Sequence, residues 1–500
     1  MVEEVLWAIL AIILLAMAFN GYLKAKSLPP GPFPLPIIGN LLKVATDSRH
    51  IDLMKMEKQY GHVFRLYLGS QLVVIVSGEE AIKEVLVTRS GEFAGRPNVY
   101  TGEVYSQGKA IAMTDYSPEP GLPVWRLHRK ITVSALKMYM KEVLNESKVI
   151  EDEFDLLLTR VSLWNGRPHD IAREIRLAVM NVICALAFGS RYELDDPEFS
   201  RILEMTTAVA KMLASGSLVD VFPWMWFLPF KATQALKRSG QERDELIGRI
   251  YWEHVQANRV QHPRDLADTL IKAKKEAEDE DKSVKGFLTD EHLIFTLSEV
   301  FMAGLETTSS TLCWILLYLI HYPSVQDRVH QELDEVIGNS RLPDLADKKN
   351  LPYLEATIAE SLRVSSLVPL AVPHKATVDT SLQGYHIPKG TTVLVNLWSL
   401  HHDPEIWDDP NEFKPERFLD DNGLFQTPKA GVLLPFSGGR RVCLGESFAR
   451  MQLFFVLARL LHSFKFENPP SCDLPTLQPD VGIVLMPQSF KVCAVKRHIF

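Results

Sequence analysis

The chain has 500 residues, of which 46% are hydrophobic and 23% charged, and its formal net charge is −8. That is ample apolar material for a large core, and the dispersed charge excludes a nucleic-acid-binding tail or an acidic disordered arm. Five cysteines (Cys184, Cys313, Cys443, Cys472 and Cys493), none in a CxxC or CxxxC pair, exclude a disulfide scaffold and point to a reducing compartment.

The first element is VLWAILAIILLAMAFNGYL, residues 5–23, nineteen positions without a charge, close to the roughly 20 residues of a membrane-spanning helix. Ala16-Met17-Ala18 resembles a signal cleavage site, but signal peptides begin with positive charge and this chain begins with Glu3 and Glu4. The expectation is a retained single-pass anchor, with Lys24 and Lys26 behind it keeping the rest of the protein cytosolic. LPPGPFPLPIIGN, residues 28–40, carries five prolines, which fix φ and forbid helix, so it reads as a stiff connector. VFRLYLGSQLVVIVSG, residues 63–78, alternates apolar and polar around Gly-Ser and predicts a β-hairpin. Residues 79–370 are mostly helical in period. Within them the mixed-charge run KAKKEAEDEDKSVK is a solvated segment. Residues 380–397 and 481–497 return to short strands with turns. The predicted fold class is mainly α with a small β portion: a membrane anchor over 1–23, a proline-rich linker over 24–40 and one large domain over 41–500.

One helix breaks its own pattern. LTDEHLIFTLSEVFMAGLETTSSTLCWILLYLIHYP starts with Thr289 as N-cap, followed by Asp290 and Glu291 at the positive helix end, and runs to Pro323. It is apolar on nearly all faces and so predicts a central, buried helix. Yet its middle reads Ala303-Gly304-Leu305-Glu306-Thr307-Thr308-Ser309-Ser310, and such a local contradiction is where function is expected. Thr307 can draw its hydroxyl to a backbone carbonyl, Gly304 leaves space beside it, and Glu306 is an acid able to relay protons.

LLPFSGGRRVCLGESFAR, residues 433–450, holds a lone cysteine behind glycines and arginines. It satisfies F-x-x-G-x-R-x-C-x-G at Phe436, Gly439, Arg441, Cys443 and Gly445. Glycines let backbone approach a flat object, Arg441 suits a carboxylate, and Phe436 supplies an aromatic wall. A thiolate axial ligand to haem iron accounts for all five positions; such a ligand pushes electron density toward bound oxygen. Backbone N–H groups of the loop can tune the sulfur. EATIAESLR places Glu360 and Arg363 three apart, an ordinary helix-surface pair by itself; KPERF adds Arg417, and together they make a candidate buried charge triad. VWRLHRK puts Trp125 and Arg129 on one helical face as a second contact for a haem propionate, with Arg96 in FAGRP and His374 in VPHKA as further candidates.

These motifs, in this order and over essentially the whole chain, resemble the microsomal cytochrome P-450 family of haem-thiolate monooxygenases. SGSLVDVFPW, AGLETT and the stretch VPHKATVDTSLQGYHIPKG onward are similar to the branch of that family with steroid 17α-hydroxylase/17,20-lyase activity. SSLVPLAVPHKATVDTSLQGYHIPKG is also similar to the aryl-hydrocarbon hydroxylases. Two features depart from the steroid pattern: the Asp115–Trp125 segment is longer, and Met212 stands near the position of a polar substrate-orienting residue. The resemblance implies a domain over 41–500 that binds haem b and hydroxylates a lipophilic substrate at the endoplasmic reticulum membrane. In it Cys443 is the metal ligand, and Arg96, Trp125, Arg129, His374 and Arg441 hold propionates. Glu306 and Thr307 are catalytic, and Ala112, Met113, Ala303, Leu370, Ala371 and Ile483 line the substrate. No G-x-G-x-x-G after a strand and no G-x-x-x-x-G-K-[ST] occurs, so electrons from NADPH must come through a partner, NADPH-cytochrome P-450 reductase, with cytochrome b5 as an additional candidate. Arg129, Lys130, Lys137 and Lys141 form a cationic face suited to an acidic partner. A reductase-independent haem-thiolate isomerase, a haem sensor and a membrane-tethered structural protein are the competing classes. An intact Glu306-Thr307 pair argues against the isomerase, which needs no protons to cleave oxygen.

Overall fold

The computed structural model describes residues 27–46, 48–116, 124–146, 149–214, 218–259, 261–282, 285–428, 431–470 and 472–497. The predicted anchor, most of the 115–125 segment and the side chains of Met212 and Lys141 lie outside the described residues. The chain divides into two compact units. One contains residues 1–97, 370–400 and 438–441, and the other residues 98–369, 401–437 and 442–500.

The first unit is built on a four-stranded sheet. β1 (Val63–Leu68) and β2 (Gln71–Val76) form the predicted hairpin, paired Val63 to Val76 through Leu68 to Gln71 across Gly69-Ser70. β3 (His374–Lys375), the hairpin β4 (Thr380–Leu382)–β5 (Tyr385–Ile387) and β6 (Thr392–Val395) follow in chain order. β6 runs parallel to β2 and antiparallel to β3, giving the order β1-β2-β6-β3. Alternation along β1 and β2 buries Phe64, Leu66, Val73 and Ile75 against Val44 and Leu53, and Leu370 packs on this cluster. The edge position of β3 presents His374 beside Val372 and Pro373, the two carbonyls that Arg96 uses.

The second unit is helical. Its main helices are α1 (Val124–Glu146), α2 (Ile171–Phe188), α3 (Pro197–Ala214), α4 (Lys231–Ala257), α5 (Leu266–Glu280), α6 (Asp290–His321), α7 (Pro352–Ser365) and α8 (Glu446–Ser463). Short strands close it: β7 (Phe464–Glu467) pairs with β10 (Cys493–Lys496), and β8 (Pro479–Val481) with β9 (Leu485–Pro487). α6 is the predicted long helix. Thr289 caps it in a capping box with His292, whose Nδ1 accepts the Thr289 N–H at 3.1 Å. Its C-terminal half, Leu312 to Ile320, is wholly buried in one large apolar cluster with α2, α7 and α8. It is the one helix among the described residues that is long and apolar enough to cross a membrane, and this burial makes it a core helix instead.

Gly304 has a packing reason. A Cβ there would lie 2.8 Å from Cδ1 of Ile183 on α2, so the glycine lets α2 approach. The space that the sequence reading placed beside Thr307 is therefore not made at Gly304 on this side; α2 fills it.

Candidate active site

α6 is not buried all round. Glu299, Val300 and Thr307 are half-buried and Ala303 is exposed, an accessible stripe at the three- and four-residue spacing of a single helix face. On this stripe the Thr307 hydroxyl donates to the Ala303 carbonyl at 2.6 Å, the back-bond that loosens a helix ladder. Glu299 turns both carboxylate oxygens to the 110–113 loop and accepts the N–H of Ile111 at 2.6 Å and of Ala112 at 2.9 Å. That loop carries Met113 and the carbonyl of Ile111, which takes the Trp125 indole N–H at 3.1 Å. Ile483 sits in the turn of the β8–β9 hairpin, which Trp314 of α6 holds through Nε1–H to the Leu485 carbonyl at 2.7 Å.

Glu306 points elsewhere. It is buried on the α2 side, where Oε2 meets the Arg176 guanidinium at 3.2 Å and Oε1 accepts from the Thr206 hydroxyl of α3 at 3.2 Å. Sequence reasoning left this acid without partners. Arg176 and Thr206 had no signal that could have singled them out, since each is an unremarkable polar residue on an amphipathic helix; Glu299, an acid within the largely apolar α6, was the signal that went unread.

In the second unit Cys443 stands three residues before the start of α8. Its N–H donates to the Phe436 carbonyl at 3.0 Å, which closes the loop, and Arg450 lies over the Phe436 ring with 4.8 Å to the centroid. Arg129, stacked 5.5 Å from the Trp125 ring centroid, donates to the Val442 carbonyl at 2.6 Å. Dense surroundings push the Cys443 thiol up, while the backbone N–H groups of Gly445 and Glu446 and the Arg129 charge favour its thiolate. Arg129 is itself shifted down by burial, with Cys443 opposing. Burial is the main cause that drives the thiol of Cys313 to about 12, and it also raises Cys184. Cys443 is the exposed thiol served by two backbone donors and a cation. A Cβ on Gly445 would meet no protein atom within 4 Å.

In the first unit Arg96, His374 and Arg441 are all buried. Arg96 donates to the carbonyls of Val372 and Pro373 at 3.1 and 2.7 Å, and Arg441 Nε to that of Ala94 at 2.9 Å. His374 Nδ1 faces the Phe93 carbonyl at 2.8 Å and therefore carries a proton. Burial first, then Arg96 and Arg441, lower its pKa to about 3. Its Nε2 becomes a donor only where an anion offsets those two cations. Gly439 makes the turn possible: its φ is +64°, and a Cβ would fall 1.6 Å from the Leu86 carbonyl oxygen. Ala371, at φ +51°, turns the chain between Leu370 and β3.

Glu360 and Arg363 are fully buried on α7 and joined at two points, 2.7 and 2.8 Å. Glu360 Oε1 also accepts from Arg417 Nε at 3.3 Å and from the Lys414 N–H at 2.9 Å. The remaining Arg363 donors serve the carbonyls of His401, Pro410 and Glu412.

Each donor set has chemistry that suits a haem: Cys443 is a thiolate-competent ligand, and Arg96, Arg441 and His374 are groups that bind carboxylates. Comparison with known proteins agrees. A family model described as Cytochrome P450 matches residues 29–494. A steroid 17-alpha-hydroxylase/17,20 lyase from Ictalurus punctatus is 40% identical over 97% of this chain and 94% of its own length. Its counterpart from Gallus gallus is 39% identical over 98% of each. Cytochrome P450 2U1 of Rattus norvegicus is 34% identical over 95% of this chain and 92% of its own. This chain is therefore a member of the cytochrome P450 family, haem b-dependent monooxygenases.

Proposed function

We propose that this enzyme hydroxylates a steroid at the 17α position, with a following 17,20 C–C cleavage as a second activity, using electrons delivered from NADPH by a partner reductase. The observation that carries the proposal is 40% and 39% identity, over nearly the whole chain, to steroid 17-alpha-hydroxylase/17,20 lyases of Ictalurus punctatus and Gallus gallus. Bound haem b supplies oxygen activation, placing one oxygen atom of O2 in the substrate and releasing the other as water. The chain's own residues do the rest. Cys443 holds the iron from a loop whose N–H groups stabilise its thiolate. Arg96, His374, Arg441, Trp125 and Arg129 bind the propionates; Trp125 acts there through Arg129, since its indole N–H is held by Ile111. Phe436, Gly439 and Gly445 shape the loop around the ring. Thr307 and Glu306 move protons, and Glu360, Arg363 and Arg417 fix the segment ahead of the cysteine loop. Ala303 and the Ala112–Met113 loop wall the substrate, as do Ile483, Leu370 and Ala371.

Of the predicted cationic face, Lys130 and Lys137 are exposed along α1, together with Arg126, whereas Arg129 is half-buried against Trp125 and Val442; the exposed cations offer an acidic reductase, or cytochrome b5, a docking surface. The 1–23 segment anchors the enzyme in the endoplasmic reticulum membrane by one span, residues 24–40 link it, and residues 41–500 act as one catalytic domain. Phe33 and Ile37, exposed at 85 and 82%, support a lipid-proximal linker. The chain crosses between the compact units at 97, 369, 400, 437 and 441, which supports one interleaved domain over two independent ones.

The test is a panel of steroids and aromatic hydrocarbons scored by the shift of the haem Soret band, then by product identification with reductase and NADPH. A 17α-hydroxylated product is expected. Turnover of the aromatic compounds alone would move the enzyme to the xenobiotic branch, to which the match with cytochrome P450 2U1 is the pointer. The reduced carbon monoxide complex should show the thiolate spectrum in the wild type and lose it in Cys443→His.

A further inference from the structure

β7 ends at Glu467, the residue that stands directly opposite Cys493, the first of β10. The chain then reverses at once. The Cys472 N–H donates to the Pro469 carbonyl at 3.0 Å, the i to i+3 bond of a β-turn. The Asn468 side-chain amide donates to the Cys472 carbonyl at 2.6 Å and holds the turn shut. Cys472 is thereby folded back toward the end of the ladder where Cys493 sits. We propose that Cys472 and Cys493 form a reversible disulfide, a peroxide-responsive site apart from the haem centre that closes the chain over residues 473–492.

The two thiols differ in the way such a pair needs. Cys472 is exposed and meets solvent first, whereas Cys493 is buried behind it in the sheet. Burial first, then the charges of Glu467 and of Cys472, raise the Cys493 thiol, so the two sulfurs lie within electrostatic reach of each other. Cys184 and Cys313, by contrast, are buried within α2 and α6. In a reducing compartment a disulfide persists only transiently, which is the use that redox sensing makes of one.

The enclosed segment gives the bond its consequence. Residues 473–492 carry the β8–β9 hairpin, with Ile483 in its turn. α6 holds this segment at two points: His321 Nε2 meets the Pro475 carbonyl at 2.7 Å, and Trp314 Nε1–H donates to the Leu485 carbonyl at 2.7 Å. A cross-link between its ends removes the extended conformations open to the free segment, so the hairpin opens less often.

The oxidant is hydrogen peroxide, the two-electron reduction product of the O2 that a monooxygenase consumes. Cys472 takes one oxygen atom from peroxide and becomes a sulfenic acid, and a water leaves. The Cys493 sulfur attacks the Cys472 sulfur, its proton departs with the hydroxyl as a second water, and the S–S bond forms. Two thiols lose two electrons and two protons, and one peroxide becomes two waters. Exchange with a small thiol such as glutathione restores the pair. None of this depends on which substrate the haem site takes.

The experiment exposes the full-length haem-bound enzyme to hydrogen peroxide, as wild type, Cys472→Ser and Cys493→Ser, and checks by the reduced carbon monoxide spectrum that the haem thiolate survives. Trypsin cuts after Lys465, Lys491 and Lys496, so the two cysteines fall in separate peptides, 466–491 and 492–496. In the wild type the thiols titrated after denaturation should fall from five to three. The two peptides should run as one species, lighter than their sum by two hydrogens, that dithiothreitol separates. Slower backbone hydrogen exchange over 473–492 should accompany the link and be absent from Cys472→Ser. In Cys493→Ser, dimedone should label Cys472 as the trapped sulfenic acid. All five thiols remaining, a link only between two chains, or Cys472 oxidised to a sulfinic acid without joining Cys493 overturns the inference. Cys472→Ser changes only an exposed side chain, so the comparison stands even where Cys493→Ser fails to fold.

Discussion

Two buried glutamates of the second unit, Glu360 and Glu306, each meet an arginine, and the two pairs are built to opposite standards. Glu360 is joined to Arg363 at 2.7 and 2.8 Å, to Arg417 at 3.3 Å and to a backbone N–H at 2.9 Å, and every remaining donor of Arg363 is used. Glu306 has two contacts, each at 3.2 Å. A saturated, bidentate cluster has one low-energy arrangement and serves as a clamp. A carboxylate held by two long contacts can exchange partners at small cost. The same residue pair thus does structural work at one end of the core and remains available for chemistry at the other.

The sharpest way to break this comparison is to remove each arginine. Arg363→Leu leaves Glu360 buried with its bidentate partner lost, and destabilisation of about 3–5 kcal/mol is expected. The measurement is the shift in thermal unfolding of the haem-bound protein, with the double Glu360→Leu/Arg363→Leu variant losing less than the sum of the singles. Arg176→Leu should cost clearly less, because the guanidinium makes a single 3.2 Å contact to Glu306 and its side chain is 26% exposed. Equal losses at the two sites would mean that Glu306 is as fixed as Glu360.

Thr307→Ala sharpens the other half. Thr307 shares no contact with the Glu360 cluster, and its hydroxyl is spent on the Ala303 carbonyl at 2.6 Å, so unfolding should barely change. Product per NADPH should fall, by up to about 100-fold, the low end of what a positioned proton-transfer group supplies. Reducing equivalents should appear as hydrogen peroxide. Unchanged coupling would remove Thr307 from proton delivery and leave the polar middle of α6 without a function.

The clamp and the looser site were not equally legible. The hairpin at 63–78 and the helix from Thr289 follow from period and capping, both of which act within a few residues. The cysteine loop could be singled out because five unusual residues fall within ten positions. The Glu360–Arg363 spacing is local, and only the distant Arg417 needed KPERF to suggest it. The partners of Glu306 were invisible for a physical reason. Arg176 lies 130 residues away and Thr206 lies 100, and helical period says which face is buried without saying what it meets. Gly304 shows the same limit: its place in the helix was plain, but the Ile183 side chain that requires a glycine there comes from another helix.

The smallest expected effect is a pH dependence within the clamp. His401 is buried beside Arg363, and its carbonyl accepts from that guanidinium. Its Nε2 accepts the Leu434 N–H at 3.0 Å, so Nδ1 carries the proton and faces the Ser366 hydroxyl. The ring thus ties the start of the cysteine loop to the end of α7 and works only when neutral. Burial, with His402 and Arg363 adding repulsion, lowers its pKa to about 3. In the unfolded chain a histidine titrates near 6.5. Between those values the unfolded chain binds the extra proton, so stability falls as pH drops from about 6.5 toward 3, by up to about 1.4 kcal/mol per pH unit for this group. His50, His128 and His330, lowered by burial to about 4, 3 and 4, add to the same trend. His401→Gln keeps a donor for Ser366 and an acceptor for Leu434 but cannot titrate. Its unfolding temperature should fall less steeply between pH 6.5 and 5 than that of the wild type, by about one proton's worth of slope. Parallel slopes would show that His401 is already protonated in the folded enzyme, and that the clamp carries one more charge than its geometry can accommodate.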